Sequence, residues 1–319
     1  MAQDIPLDIV FEDEHILVLN KPSGLVVHPA AGHADGTLLN ALLHHVPDLI
    51  NVPRAGIVHR LDKDTTGLMV VAKTLQAQTR LVEQLQARSV SRIYEAIVIG
   101  VIITGGTVNA AIGRHGQQRQ RMAVVEGGKP AVSHYRVLER FRSHTHVRVK
   151  LETGRTHQIR VHMTHIGYPL VGDPLYSGRF RIPPAANPTM VQTLKDFPRQ
   201  ALHARFLELN HPVSGERLKW ESPLPDDFVW LVPPRVRTCV TTRSGGLSQA
   251  PFDGFNLGDH VGDAPERVSA NRQRLQQLIG CEPAWMSQIH SSIAVEADPR
   301  SCPTADASWT GEAGGARAV

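Results

Sequence analysis

Apolar and polar residues along the first 230 positions follow two periodicities. Alternating or continuous apolar runs are typical of strands, and apolar residues three or four positions apart are typical of helices. The strand patterns lie at 5–10, 15–20, 25–27, 68–72, 91–99, 145–152, 199–209 and 211–218. The helix patterns lie at 37–45, 75–88 and 156–167. Because many of the strands follow one another through short turns, we expect an α+β fold whose mixed, mainly antiparallel sheet is flanked by helices and loops.

A dense run of ionisable residues interrupts this pattern at 56–74, which reads GIVHRLDKDTTGLMVVAKT. Asp62 lies near its centre, between the apolar segments 56–58 and 68–72. A loop fixed at both ends by buried segments is a place where a fold can hold a reactive side chain. The alternative is a solvated turn, which is the commoner role of an Asp-rich loop.

Composition and charge narrow the class of protein. The 319 residues are 41% hydrophobic, which supports a well-buried core, and the net charge of +4 suits a nucleic-acid partner. No apolar run approaches the length of a membrane span, and the first residues lack the features of a signal peptide. The three cysteines lie in the last quarter and do not form a disulfide framework. We therefore expect a cytoplasmic protein without membrane association.

Two basic segments are candidate RNA contacts. The segment 113–129 is punctuated by glycine and carries Arg114, Arg119, Arg121 and Lys129. Such a loop suits contacts to phosphates, although a solvated hairpin is the alternative. Lys21 lies in the turn Lys21-Pro22-Ser23-Gly24 and is either a phosphate or active-site contact or a plain surface lysine.

Three motifs resemble those of a known family. HRLDKDTTG at 59–67 resembles the HRLD-x-x-TSG motif of the pseudouridine synthases of the ribosomal large subunit type D and type A group, with Thr66 where serine is common. NKPSGLVVHP at 20–29 resembles the first motif of that group, and TGRTHQIRVH at 153–162 resembles the third. The resemblance covers about residues 5–230 and preserves the order of the motifs.

This resemblance implies a set of roles. Asp62 is the expected nucleophile, and Arg160 is expected to pair with it and keep it ionised. Tyr94 is expected to stack on the target base and to assist removal of a proton. Arg60 is the expected filler of the space that the flipped base leaves in the RNA. The expected partner is large-subunit ribosomal RNA, bound by a monomer.

The reaction itself can be argued from its chemistry. Turning uridine into its C-glycoside isomer breaks the N1–C1′ bond and rejoins the base through C5, which requires neither a redox change nor a metal. We therefore expect no cofactor. A carboxylate can attack C6 of the base, attack C1′ of the ribose or abstract a ribose proton, and the sequence leaves these routes open.

Two other functions compete with this interpretation. Asp62-Lys63-Asp64 also forms a DxD, which could hold Mg²⁺ in a transferase or phosphohydrolase, but Lys63 and the lack of further acidic ligands argue against it. His157, His162 and His165 do not converge on one helical face, so a metal site there is disfavoured. An RNA-binding protein without catalysis is the second alternative, and mutation of Asp62 would distinguish it.

The chain changes character after Pro234. TTRSGGLS at 241–248, FNLGDHVGD at 255–263 and QIH at 288–290 resemble the YfiH-like proteins, the polyphenol oxidase (laccase) or purine nucleoside phosphorylase group. In that group the histidine after Gln-x is a metal ligand, a role that would fall to His290. Its partner ligands would lie beyond residue 319, so we expect no metal site and no metal-dependent oxidase or phosphorylase activity.

The predicted organisation is a catalytic domain at 1–231 and an incomplete, truncated α/β fragment at 232–319. Members of the synthase group commonly carry an S4-type RNA-binding domain ahead of the catalytic domain. We expect that domain to be absent here, since the catalytic motifs begin almost at residue 1.

Overall fold

The computed structural model divides the chain into two compact units, residues 1–230 and 231–319. It describes residues 1–29, 34–118, 120–180, 182, 183, 186, 188–231, 244–252, 254–279, 283–285, 294–296, 307–309, 317 and 318. No helix within these residues is long and apolar enough to cross a membrane.

One sheet organises the described part of the first unit. Its strands are β1 Ile9–Glu12, β2 Ile16–Lys21, β3 Thr66–Ala72, β4 Ser91–Ile99, β5 Gly106–Asn109, β8 Val132–Arg140, β9 His144–Leu151, β10 Leu202–Asn210 and β11 Arg217–Glu221. A separate hairpin consists of β6 Ile112–Arg114 and β7 Met122–Val124. The sheet order is β1-β2-β3-β10-β4-β9-β8-β5, with β11 paired to β10. Only the β3–β10 pairing is parallel among the strand pairs described in this sheet, so the expected mainly antiparallel, mixed α+β architecture is confirmed.

Four α-helices of this unit lie within the described residues: α1 Leu38–His45, α2 Leu75–Gln86, α3 Gln158–His165 and α4 Pro188–Asp196. The first three match the predicted helices closely. Thr74 caps α2 because its side-chain oxygen accepts a hydrogen bond from the backbone N–H of Ala77.

The core has two parts, one on each side of β2 and β3. Leu17 and Leu19 face a cluster that includes Leu42 of α1, whereas Ile16 and Val18 face a cluster that includes Leu81 of α2. Consecutive strand residues point to opposite faces. The continuous apolar runs of the sequence therefore reflect strands that are buried on both sides.

Two strand predictions are wrong. Residues 25–27 form no strand, because the backbone carbonyls of Val26 and Val27 accept hydrogen bonds from the first N–H groups of α1. Their apolar character comes from burial of Leu25 and Val27 in the core. Residues 211–216 form a tight turn closed by a hydrogen bond from the His211 N–H to the Glu216 carbonyl, and the strand begins only afterwards.

The described part of the second unit contains helix α5 Pro265–Ile279. It also contains two short parallel strand pairs, β12 Pro283–Ala284 with β15 Arg317–Ala318 and β13 Ala294–Glu296 with β14 Ala307–Trp309. Asn271 of α5 is fully buried. It accepts a hydrogen bond from the Leu247 N–H and donates to the Asn256 carbonyl, so its amide joins the helix to the preceding loop.

A buried ion-pair network lies in β4 and β9. Glu95 accepts a hydrogen bond from the Arg148 guanidinium at 2.6 Å and lies 3.0 Å from His146 Nε2. Burial alone would raise the pKa of Glu95, but His146 and Arg148 outweigh it and lower the pKa to about 2. The stabilisation is therefore complete above the ordinary value of 4.5 and is lost as the pH falls towards 2.

We predict that Glu95→Gln lowers the free energy of unfolding by about 2 kcal/mol at neutral pH, because it leaves the guanidinium of Arg148 without its counter-charge. Urea denaturation should show this difference shrinking as the pH is lowered through about 4. A difference between wild type and variant that does not change with pH would contradict the assignment.

Candidate active site

A cavity of about 590 Å³ opens beside the loop between Ile57 and β3. Asp62 from that loop, Tyr94 from β4 and Arg160 from α3 all line it. The structure thus brings together three side chains that lie far apart in the sequence. Arg60, which is predicted to fill the space that the flipped base leaves in the RNA, also lines this cavity and is exposed to solvent.

The loop that carries Asp62 is held from behind by buried polar groups. Lys21 Nζ donates to the carbonyls of Pro22, Leu25 and Lys63 at 2.6, 3.0 and 2.7 Å. Gln200 Nε2 donates to Thr65 Oγ1 at 3.0 Å. These contacts hold the loop directly after the aspartate, at Lys63 and Thr65.

The prediction that Lys21 contacts RNA is wrong. The side chain is fully buried and its ammonium group is used by three backbone carbonyls. Burial lowers the pKa of Lys21 to about 7, against the opposing effect of Asp64 and Asp62. Lys21 supports the loop and does not face the cavity.

Gly67 brings the end of this loop close to β10. Its φ is +111°, and a Cβ at this position would lie 2.4 Å from the carbonyl oxygen of Ala204. Only glycine avoids that overlap. The close approach permits the short parallel pairing of β3 with β10, beside the site.

Arg160 is fixed between two carboxylates. Its Nη1 donates to Asp62 Oδ2 at 2.9 Å, while Nε and Nη2 donate to the two oxygens of Asp173 at 2.6 and 2.9 Å. Arg160 is 4% exposed and Asp173 is 1% exposed. Asp173 also accepts from the backbone N–H groups of Leu175 and Tyr176, so its own position is fixed.

The surroundings of Arg160 favour its charged form. Burial alone would lower the pKa of Arg160, but hydrogen bonds and charge from Asp173 and Asp62 outweigh it and raise the pKa above its ordinary value. The guanidinium is therefore a permanent cation that presents one N–H group to Asp62 in a fixed direction.

Tyr94 and His157 complete the surroundings of Asp62. Tyr94 is 6% exposed, and burial raises its pKa, with Arg92 opposing and Asp62 reinforcing the shift. Tyr176 accepts a hydrogen bond from the Met122 N–H, and its hydroxyl oxygen lies 2.9 Å from His157 Nδ1. The other ring nitrogen of His157, Nε2, lies 3.9 Å from Asp62 Oδ1.

The other predicted RNA contacts lie outside the cavity. Arg114 and Lys129 are exposed on the β6–β7 hairpin and its flank, and Arg121 packs on the ring of Tyr176 at 5.1 Å. Arg119 and His290 lie outside the described residues. Among the residues that the structure describes, no three histidine, cysteine or acidic side chains lie close enough to hold a metal ion.

Sequence reasoning missed Asp173, His157 and Tyr176 as members of this site. Asp173 and Tyr176 follow α3 in a loop that reads GDPLYSG, without periodicity or charge clustering to mark them. His157 was considered only as a metal ligand. Its positive φ of +57° places it just before α3 and turns its ring towards Asp62.

Comparisons with known proteins show which family the first part of the chain resembles. A family model described as RNA pseudouridylate synthase matches residues 15–165. Ribosomal large subunit pseudouridine synthase D of Pseudomonas aeruginosa is 81% identical over 232 residues, which are 73% of this chain and 72% of the relative. The protein of the same name from Escherichia coli K12 is 63% identical over 230 residues, 72% of this chain and 71% of the relative.

Solved structures extend the similarity to the fold. Human RNA Pseudouridylate Synthase Domain Containing 4 is 28% identical with a TM-score of 0.54, covering 70% of this chain and 90% of that one. Human RNA Pseudouridylate Synthase Domain Containing 1 is 27% identical with a TM-score of 0.52, covering 70% and 85%. The chain belongs to the RNA pseudouridylate synthase family and is an isomerase.

The similarity predicted for the C-terminal part is also confirmed. Residues 237–319 match a family model described as multi-copper polyphenol oxidoreductase laccase. The chain thus joins segments from two families.

We predict that Asp173→Asn slows isomerisation about 100-fold, because a small displacement of Arg160 misplaces Asp62. RNA affinity should change less than about threefold, since the Asp173 side chain is buried behind Arg160. Single-turnover kinetics and RNA binding measure the two effects separately.

The exposed Asp48 offers a matched control, and Asp48→Asn should leave both quantities unchanged. A loss of RNA affinity as large as the loss of rate would contradict a positioning role for Asp173.

Proposed function

We propose that this chain converts uridine to pseudouridine in large-subunit ribosomal RNA, with Asp62 as the nucleophile and Arg160 as the residue that holds it. The ion pair between Arg160 and Asp62 at 2.9 Å is the observation that carries the proposal. It leaves Asp62 Oδ1 free of that bond, at the wall of a cavity large enough for a nucleotide.

The roles of the other residues follow from their positions. Tyr94 presents a buried aromatic ring in the cavity that holds Asp62, which suits stacking on the base and assistance in removing the C5 proton. Arg60 is exposed two residues from Asp62, which supports a role in occupying the stack that the target base leaves.

The hairpin and its flank supply the electrostatic contacts. Positive charge lies on the β6–β7 hairpin and its flank, at Arg114, Arg121 and Lys129. Such charge suits sequence-independent contacts with phosphates. The named relatives support large-subunit ribosomal RNA as the substrate. We accordingly assign the protein to the cytoplasm and propose that it acts as a monomer.

The proposed domain assignment follows the extent of the similarity. Isomerisation belongs to residues 1–231, and residues 232–319 form a separate domain of the second family. The chemistry proposed for the first domain requires no group from the second.

We predict that Asp62→Asn abolishes isomerisation while RNA affinity falls less than about threefold, because an amide lacks the nucleophilicity of a carboxylate. New pseudouridines in unmodified large-subunit ribosomal RNA can be mapped by carbodiimide-dependent stops of reverse transcription. Asp64→Asn is the matched control, since it removes the neighbouring carboxylate of the same loop and should retain activity.

Equal loss in both variants would favour a metal-binding DxD over a single nucleophile. Retained isomerisation in Asp62→Asn would remove Asp62 from its proposed role. Binding without isomerisation by the wild type would leave an RNA-binding protein as the better description.

A further inference from the structure

The cavity wall contains buried polar groups that the proposed chemistry does not use. Within the described chain, His28 Nε2, His59 Nδ1 and Arg92 Nε are buried without a hydrogen-bond partner, and all three residues line the cavity. Buried donors without partners are rare in folded proteins, and at a binding site they indicate a missing ligand.

Arg92 is a buried cation without a counter-charge among the described residues. It is 8% exposed and lies on β4 two positions before Tyr94, which places both side chains on the same face of the strand. The acidic residues that line the cavity are Asp62 and Glu152. Asp62 is bonded to Arg160, and Glu152 is bonded to Arg88 and His134 at 2.6 Å each.

His59 presents a neutral donor to the same cavity. The Val70 N–H donates to His59 Nε2 at 3.1 Å, so the proton of the neutral ring is on Nδ1. Burial and the charge of Arg92 lower the pKa of His59 to about 3, which keeps the ring neutral at physiological pH. The unpartnered Nδ1 atom is therefore an N–H donor.

Gly154 provides the space for the guanidinium. A Cβ at this position would lie 2.7 Å from Arg92 Nη1, and the backbone of Gly154 has no positive φ that would otherwise require glycine. Because Gly154 has no side chain, the guanidinium of Arg92 can lie against its backbone at the cavity wall.

We propose that His59 and Arg92 form a subsite for one phosphodiester group of the RNA substrate, an inference that rests on the proposed function. A phosphate oxygen is anionic and accepts several hydrogen bonds, so it satisfies both donors and neutralises the guanidinium. A base carbonyl would satisfy the donors but would leave the charge uncompensated. The subsite lies in the catalytic cavity, so it holds a phosphate next to the target nucleotide, whereas the hairpin contacts phosphates elsewhere.

Phosphate-ethylation interference tests this subsite. Large-subunit ribosomal RNA fragments, ethylated at random phosphates, are selected for binding to the wild type and to Arg92→Gln, and the excluded positions are mapped. Ethylation removes the negative charge of one phosphate. We expect at least one position at which ethylation prevents binding to the wild type but no longer affects Arg92→Gln, with the remaining pattern unchanged.

Two further variants separate the subsite from general effects. Arg88→Gln removes an arginine on the same rim that is already paired with Glu152, and it should keep the wild-type pattern. Gly154→Ala keeps the charge of Arg92 but displaces its guanidinium, and it should weaken interference at the same phosphate. On unmodified RNA, Arg92→Gln should bind about tenfold more weakly than the wild type.

Identical interference patterns for the wild type and Arg92→Gln would overturn the proposal. So would a pattern in which Arg92→Gln changes only the response to uracil modification, since the acceptor would then be a base. A different result would contradict the proposed function. In that case the RNA would bind with the expected interference pattern, but no pseudouridine would form in it.

Discussion

A buried arginine between two carboxylates is the interaction on which the active site depends. Removing a guanidinium and two carboxylates from water is costly, and the cost is met only where the geometry is close to ideal. Asp173 provides that geometry, because it binds Arg160 through two hydrogen bonds and is itself fixed by two backbone N–H groups. With Nε and Nη2 bound to Asp173, Arg160 donates to Asp62 through Nη1.

One parallel strand pair in the otherwise antiparallel sheet lies next to the loop that carries Asp62. The other described strand pairs of this sheet are antiparallel, but β3 runs parallel to β10 for two residue pairs, directly after that loop. Gly67 permits this approach, and Lys21 and Gln200 hold the loop from the interior. The loop that carries Asp62 therefore has little freedom to move, and such preorganisation suits the nucleophilic role proposed for Asp62.

The sequence revealed the elements whose signal is periodic and the residues that lie in motifs. Helices α1, α2 and α3 and strand β4 follow their apolar patterns. Asp62 and Arg160 are predicted as site residues because their segments resemble family motifs. Lys21 was misassigned because a charged residue in a turn looks the same in sequence whether it is solvated or buried. Its burial depends on carbonyls from three separate positions.

Asp173 and Arg92 illustrate a second limit. Neither belongs to a pattern of spacing or charge. Both side chains are buried. Asp173 forms an ion pair with Arg160, whereas Arg92 lacks an acidic partner among the described residues. Burial and the pairing of charges are properties of the folded chain, so only the structure reveals them.

A double-mutant cycle on the isomerisation rate tests the central claim most directly. The single-turnover rate constant is measured for the wild type, Asp173→Asn, Arg160→Lys and the double variant. If Asp173 acts only by holding Arg160, the double variant should be about as slow as Arg160→Lys alone. Multiplicative effects of the two substitutions would show that Asp173 contributes independently of Arg160, and would contradict the account.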